Sequence, residues 1–330
     1  MSLQVSYKKQ ITFFILLILI SLSIFEIVIR VYDHYLPNCK FLQSEVFEKT
    51  EKELKKDICR DNNALKWNTE PLRLIPNQYY NTINVNSDGF RGNELKTNPD
   101  YRIFVIGGST TFGVGATSDS TTIPFFLQEQ LNKKFPNRNI EVINAGIPQA
   151  YSFTEINLVK EKIMEYNPNM LIVYDGWNDL EQDFEAYSVG TDPSFLDKVV
   201  RTIGKSDYVT PKILLKYYFD LKDDNTQIIE FNNNKINEKI NLWKNNWKGI
   251  CELGIKNNFK VIITLQPLVG TGNKILSSEE STYFIKNDGE NKIKNYNLYL
   301  NGLEELDSEC TATFNLQNAF EKNSETIFYD

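Results

Sequence analysis

At 330 residues, with a net charge of −7 and 24% charged residues, the chain is long enough for one large domain with appendages or for two domains. Its acidity excludes a phosphate-backbone binder, which needs a dense positive stripe, and 13% aromatic content excludes general disorder. A single histidine and the lack of any Cys-x-x-Cys pair exclude the usual zinc sites, and leave acid–base chemistry to carboxylates, Lys, Tyr or that one imidazole.

Residues 1–10, with Lys8 and Lys9, form a short N-terminal tail, expected in the cytoplasm. Ile11 to Phe25 is an apolar run without a charge, and Ile27, Val28 and Ile29 extend it past Glu26. About 20 such residues cross a hydrocarbon core of ~30 Å. With no small-x-small cleavage site behind it, the segment 11–30 is expected to be an uncleaved transmembrane signal anchor. Lys8 and Lys9 precede it, whereas Arg30 and Lys40 follow it beside Asp33, a bias that puts the bulk of the chain outside. His34, just past the span, suits an interfacial or linker role. Cys39, Cys59, Cys251 and Cys310 fit that oxidising side, and sequence leaves all three of their pairings open. Residues 31–83 are expected to be a stalk or linker. Within them 45–61 mix acids and bases at helical spacing, as a solvated helix does. From Pro71 to Gly92 the chain turns to Pro, Asn, Tyr and Gly, and Asp88-Gly89 marks a hairpin or strap.

Strands and helices then alternate. Ile103–Ile106, Ile140–Asn144, Met170–Tyr174, Lys260–Leu265 and Ala312–Leu316 are short apolar runs of the kind buried in parallel sheets. Helical patterns over Ile123–Phe135, Phe153–Tyr166, 235–257 and 292–306 separate them. Five strands with intervening helices predict an α/β protein, with a five-stranded parallel sheet between helical layers. Residues 180–232 are irregular and are expected to be an insertion; with Trp177 and Phe184 nearby it suits a lid, an acyl pocket or a plain surface loop.

In such a sheet ligands bind at the carboxyl ends of the strands. The first three strands end in Gly107-Gly108-Ser109-Thr110-Thr111-Phe112-Gly113, Asn144-Ala145-Gly146 and Gly176-Trp177-Asn178-Asp179. The first turn is no phosphate loop, because Val114 and Gly115 stand where Lys and Ser/Thr belong. A dinucleotide fingerprint fails at Ser118, and a nucleophile elbow fails at Thr111. In order, the three blocks resemble those of the SGNH/GDSL esterase and lipase superfamily, over about residues 84–330, with Asn86-Ser87-Asp88-Gly89-Phe90-Arg91-Gly92 similar to a lead-in of many members. The resemblance implies a flavodoxin-like three-layer α/β/α sandwich. It implies Ser109 as nucleophile, an oxyanion hole from the Ser109 amide, the Gly146 amide and the Asn178 side chain, and no metal or cofactor.

The family's last block is D-x-x-H, its His the base and its Asp the group that orients it. Asp330 stands where that block begins, and the His would lie three residues past it. The expectation is therefore an incomplete sequence, with a natural pseudoenzyme as the rival reading. Without its base the chain as written would be nearly inactive, since losing Ser or His from such a triad costs about 10⁶ in kcat. The function expected is hydrolysis of a carbohydrate or lipid-like ester through an acyl-serine, in a membrane-tethered enzyme with no nucleic-acid partner. Acyl transfer to an envelope polysaccharide, or a non-catalytic binding domain, are the alternatives.

Overall fold

The computed structural model describes residues 6–35, 39–69, 71–181 and 233–329, with a few isolated positions between 199 and 215. The chain divides into two compact units: Met1–Asn38 with Gly190–Glu230, and Cys39–Val189 with Phe231–Asp330. In the first, helix α1 (Tyr7–Tyr35) contains one stretch, Tyr7–Tyr32, with mean hydropathy 2.7. By length and composition that stretch is sufficient to cross a membrane. The insertion expected at about 180–232, with Phe184, lies almost wholly outside the described residues.

The second unit opens with α2 (Lys52–Ala64) and two small antiparallel pairs, β1 (Trp67–Thr69) with β2 (Leu72–Leu74) and β3 (Gln78–Tyr79) with β4 (Asn84–Val85). The order continues β5 (Tyr101–Gly107), α3 (Ser109–Phe112), α4 (Ile123–Lys134), β6 (Ile140–Asn144), α5 (Ser152–Glu161), β7 (Met170–Asp175) and α6 (Trp177–Glu181). After the insertion come α7 (Asn233–Asn257), β8 (Lys260–Leu265), α8 (Ser278–Lys286), α9 (Gly289–Tyr296), α10 (Tyr299–Leu306) and β9 (Ala312–Asn315). The five long strands pair in parallel in the order β6-β5-β7-β8-β9. Phe104, Val105 and Ile106 of β5 and Leu171 and Val173 of β7 are buried, as a sheet covered on both faces requires.

Strand order and helix placement explain each other. From β5 the chain steps one way to β6, then returns across β5 to β7 and continues to β8 and β9. Right-handed crossovers put α4 on one face and α5, α7 and α10 on the other. In agreement, α7 packs on both α5 and α10, while α4 packs on β6. The connections leaving β5 and β7 diverge, and divergence opens a crevice at the carboxyl ends of those two strands.

Three expectations need correction in detail. Residues 39–83 are no stalk: Leu42, Phe47, Ile58 and Cys59 form a small buried cluster, and the compact unit starts at Cys39, not at 84. The Cys39–Cys59 disulfide ties this cluster together, and Cys251–Cys310 joins α7 to the segment before β9. Their helical spacing hides this, because few of the residues are apolar and their partners are distant in sequence. The helix expected at 292–306 is two helices, α9 and α10, broken at Asn297–Leu298, with α8 ahead of them. The helix expected over Phe153–Tyr166 tightens after Glu161 into a 3₁₀ turn, Ile163–Tyr166, closed by Asn167 with φ 49°.

Candidate active site

Ser109 opens the short helix α3 directly behind β5, the middle strand of the first three. As the first residue of that helix its amide has no intrahelical acceptor by position. Residue Gly113, at φ 93°, ends the helix after one turn. Arg91 fixes this turn from outside. Its fully buried side chain donates to the Phe112 carbonyl (3.1 Å), the Gly113 carbonyl (2.8 Å) and the Thr82 carbonyl (2.8 Å), pairs with Asp119 at 2.8 Å, and lies over the Phe112 ring. The Asn144 side chain adds a second donor to the Phe112 carbonyl at 3.0 Å. The lead-in peptide and the end of β6 therefore hold the Ser109 helix through charge-assisted and neutral hydrogen bonds in a dry setting. Sequence alone marks neither residue as a site residue, although Arg91 next to Gly92 in a polar turn is the available signal.

Asn178 arrives beside Ser109 from the neighbouring strand. A Cβ placed on Gly108 would stand 2.3 Å from Asn178 Nδ2, so the residue before Ser109 must be glycine for the carboxamide to lie where it does. One Asn178 N–H donates to the Ala150 carbonyl at 2.6 Å. A carboxamide nitrogen carries two donors, so one N–H fixes the group and the other is left for a ligand. The Ala150 carbonyl belongs to a turn in which Gln149 takes a left-handed φ of 66°.

Gly146 has a different place. It is buried; its amide donates to Asn144 Oδ1 at 3.0 Å; and a Cβ there would stand 2.2 Å from the Phe112 nitrogen. The glycine thus permits β6 to lie against the Ser109 helix, and its amide is already engaged. Ser109 and Asn178 share one cleft, and Gly146 is not part of its wall.

That cleft, of about 680 Å³, is walled on one side by Ile327, Phe328 and Tyr329, which with Thr326 form a strap. Glu280, with no exposed surface, accepts the amides of Ile327 (2.9 Å) and Phe328 (3.2 Å) and pairs with Lys274 at 2.5 Å. Burial alone would raise the Glu280 carboxyl, but Lys274 and the Ile327, Ser277 and Phe328 amides outweigh it and hold it below its ordinary value. The Tyr329 ring packs against Phe41 and Phe47 of the disulfide-bonded cluster, and its hydroxyl donates to the Val114 carbonyl at 2.6 Å. Asp330 lies outside the described residues, as does the side chain of His34. Across the cleft Lys292 pairs with Glu181 at 2.8 Å and sits over the Trp177 ring.

Beneath the Asn178 turn lie three fully buried carboxyls, Glu155, Asp175 and Asp179. Asp175 accepts the Trp243 and Trp247 indole N–H groups at 3.0 and 3.3 Å. Asp179 accepts the Ser152 amide at 3.0 Å and its hydroxyl at 2.5 Å. Neither oxygen of Glu155 has a hydrogen-bond partner. Desolvation raises all three above their ordinary values, and the charge of Asp175 raises its two neighbours further.

No family model and no curated protein matches the chain. Several solved structures are similar to it. Axe2, an acetylxylan esterase from Geobacillus stearothermophilus, is 11% identical, with 71% of this chain and 84% of that one covered and a TM-score of 0.39. A putative GDSL-like lipase from Parabacteroides merdae is 12% identical, with 70% and 84% covered and a TM-score of 0.40. The acetyl xylan esterase AlAXEase is 15% identical, with 67% and 80% covered and a TM-score of 0.38.

Proposed function

We propose that the chain is a serine hydrolase of the SGNH/GDSL type, acting on an ester through an acyl-serine intermediate. The observation that carries this reading is the meeting of Ser109 and Asn178 in one cleft, at the crevice where the connections from β5 and β7 diverge. In it the Ser109 hydroxyl oxygen bonds to the carbonyl carbon of the ester, and the bond to the leaving alcohol breaks. Water then releases the acid and restores the hydroxyl. Negative charge on the carbonyl oxygen meets the Ser109 amide and the second N–H of Asn178. Gly146 acts by letting the strand end approach the Ser109 helix, and this reading assigns Asp330 to orient the base that takes the Ser109 proton.

Residues 11–30 tether the enzyme, with the hydrolase unit on the outer side. Two disulfides support that side, since such bonds persist in oxidising compartments. The test is turnover of short nitrophenyl esters by the protein. Ser109→Ala is expected to lower kcat by about 10⁶, and Asn178→Ala by about 10²–10³. Unchanged turnover in the Ser109 variant refutes the nucleophile.

A further inference from the structure

We infer that the chain meets the membrane a second time: the backbone at Val209 and Thr210 is seated beside α1 in the bilayer boundary at the C-terminal end of the span, with lipid as its partner. The inference goes beyond the hydrolase reading and rests on residues 11–30 being the tether.

Three observations carry it. The first is depth. Glu26 is the single acidic residue among residues 11–30, and it stands four residues before Arg30, about 6 Å at the rise of an α-helix. Its carboxylate accepts the Val209 amide at 2.7 Å and the Thr210 amide at 3.0 Å. A backbone bonded to Glu26 shares its depth, so these two residues lie inside the end of the span. The second is the need of the acid for partners. A carboxylate among acyl chains is costly unless it is paired. Arg30 Nε donates to Glu26 at 2.8 Å. Residues 209–211 are helical, and amides at the start of a helix have no intrahelical acceptor, so two such amides complete the set. Glu26 is accordingly largely covered, while Phe25 and Ile27 beside it stay exposed. The third is what the segment turns outward. Tyr208 and Leu214 are exposed and belong to the same compact unit as α1. An apolar side chain held at this depth meets acyl chains, and tyrosine is enriched at that boundary. The insertion expected from sequence to be a lid, an acyl pocket or a surface loop thereby gains a membrane contact.

The experiment is electron paramagnetic resonance on the full chain in nanodiscs of phosphatidylcholine and phosphatidylglycerol. The four cysteines are tied in two disulfides, so one introduced thiol carries the nitroxide: Leu214→Cys, Leu19→Cys in the middle of the span, or Ile285→Cys at an exposed position of α8. Collision with oxygen, which concentrates in lipid, is compared with collision with a water-soluble nickel chelate. The label at 214 is expected to favour oxygen, as the label at 19 does, and the label at 285 to favour the chelate. Glu26→Ala removes both acceptors and is expected to raise chelate collision at 214 while the label at 19 keeps its preference. If that variant does not insert, the label at 19 shows it, and the reading at 214 with Glu26 in place decides alone. Chelate access at 214 equal to that at 285 overturns the inference and leaves the tether. Low collision with both reagents means protein cover and overturns it as well, as does a label at 214 that is indifferent to Glu26→Ala. Chelate access at 19 removes the tether, and the inference with it.

Discussion

At the scale of single residues, the position of Ser109 depends on a side chain that never touches the cleft. Arg91 gives one guanidinium to three carbonyls and one carboxylate, a fork that lysine cannot reproduce. Arg91→Lys is expected to destabilise the protein by about 3 kcal/mol in urea titration, because buried acceptors and Asp119 lose their partner. The opposite result is expected at Glu155, whose carboxyl is fully buried and unpartnered. Glu155→Leu keeps the volume and removes an unsatisfied polar group, so stability should rise by about 1–3 kcal/mol. The three strand-end turns that carry Ser109, Gly146 and Asn178 are legible in sequence because each follows an apolar strand. The engaged amide of Gly146 was not, since what the amide meets is set by Asn144 and by the approach of the Phe112 backbone.

At the scale of elements, two carboxyl systems respond to pH in opposite directions. Glu280 titrates below its ordinary 4.5 when folded, so its contribution is present above that pH and is lost as pH falls through the folded value. Protection of the Ile327 and Phe328 amides from hydrogen exchange, relative to their intrinsic rates, should therefore fall in acid, and in Glu280→Gln it should be low already at neutral pH. Glu155, Asp175 and Asp179 titrate above their ordinary 4.5 and 3.8. Their contribution is complete below about pH 4 and is lost as pH rises through the elevated folded values. Trp243 and Trp247 donate to Asp175, so their fluorescence should change along that alkaline limb. Asp179→Asn should move the change. Strand and helix alternation made the sheet legible, with Ile140–Asn144 and Lys260–Leu265 matching their expected bounds. The strap was not legible: Thr326–Tyr329 has no period, and its hydrogen bonds run to Ser277 and Glu280 at the start of α8, to Glu45 and to Val114, all far away in sequence.

At the scale of the whole molecule, the two disulfides differ in what they support. By loop length, bridges across 20 and 59 residues are worth about 3 and 4 kcal/mol in the entropic account. Replacing Cys251 and Cys310 by serine is expected to lower the melting temperature with KM unchanged. Replacing Cys39 and Cys59 should lower stability and also raise KM, since Phe41 and Phe47 bear on Tyr329 in the cleft wall. Equal effects of the two double variants on KM would contradict this division. The segment expected from sequence to be a stalk thus lends Val46, Phe47 and Thr50 to the cleft wall, a placement hidden while its apolar residues are counted without their partners.

The central claim is that Ser109 takes the acyl group. Rapid quenching of the protein with a nitrophenyl ester, followed by peptide mass spectrometry, tests it directly. One acyl adduct is expected, on the peptide containing Ser109, absent from Ser109→Ala. Turnover without an adduct, or an adduct on another residue that persists in Ser109→Ala, would contradict it.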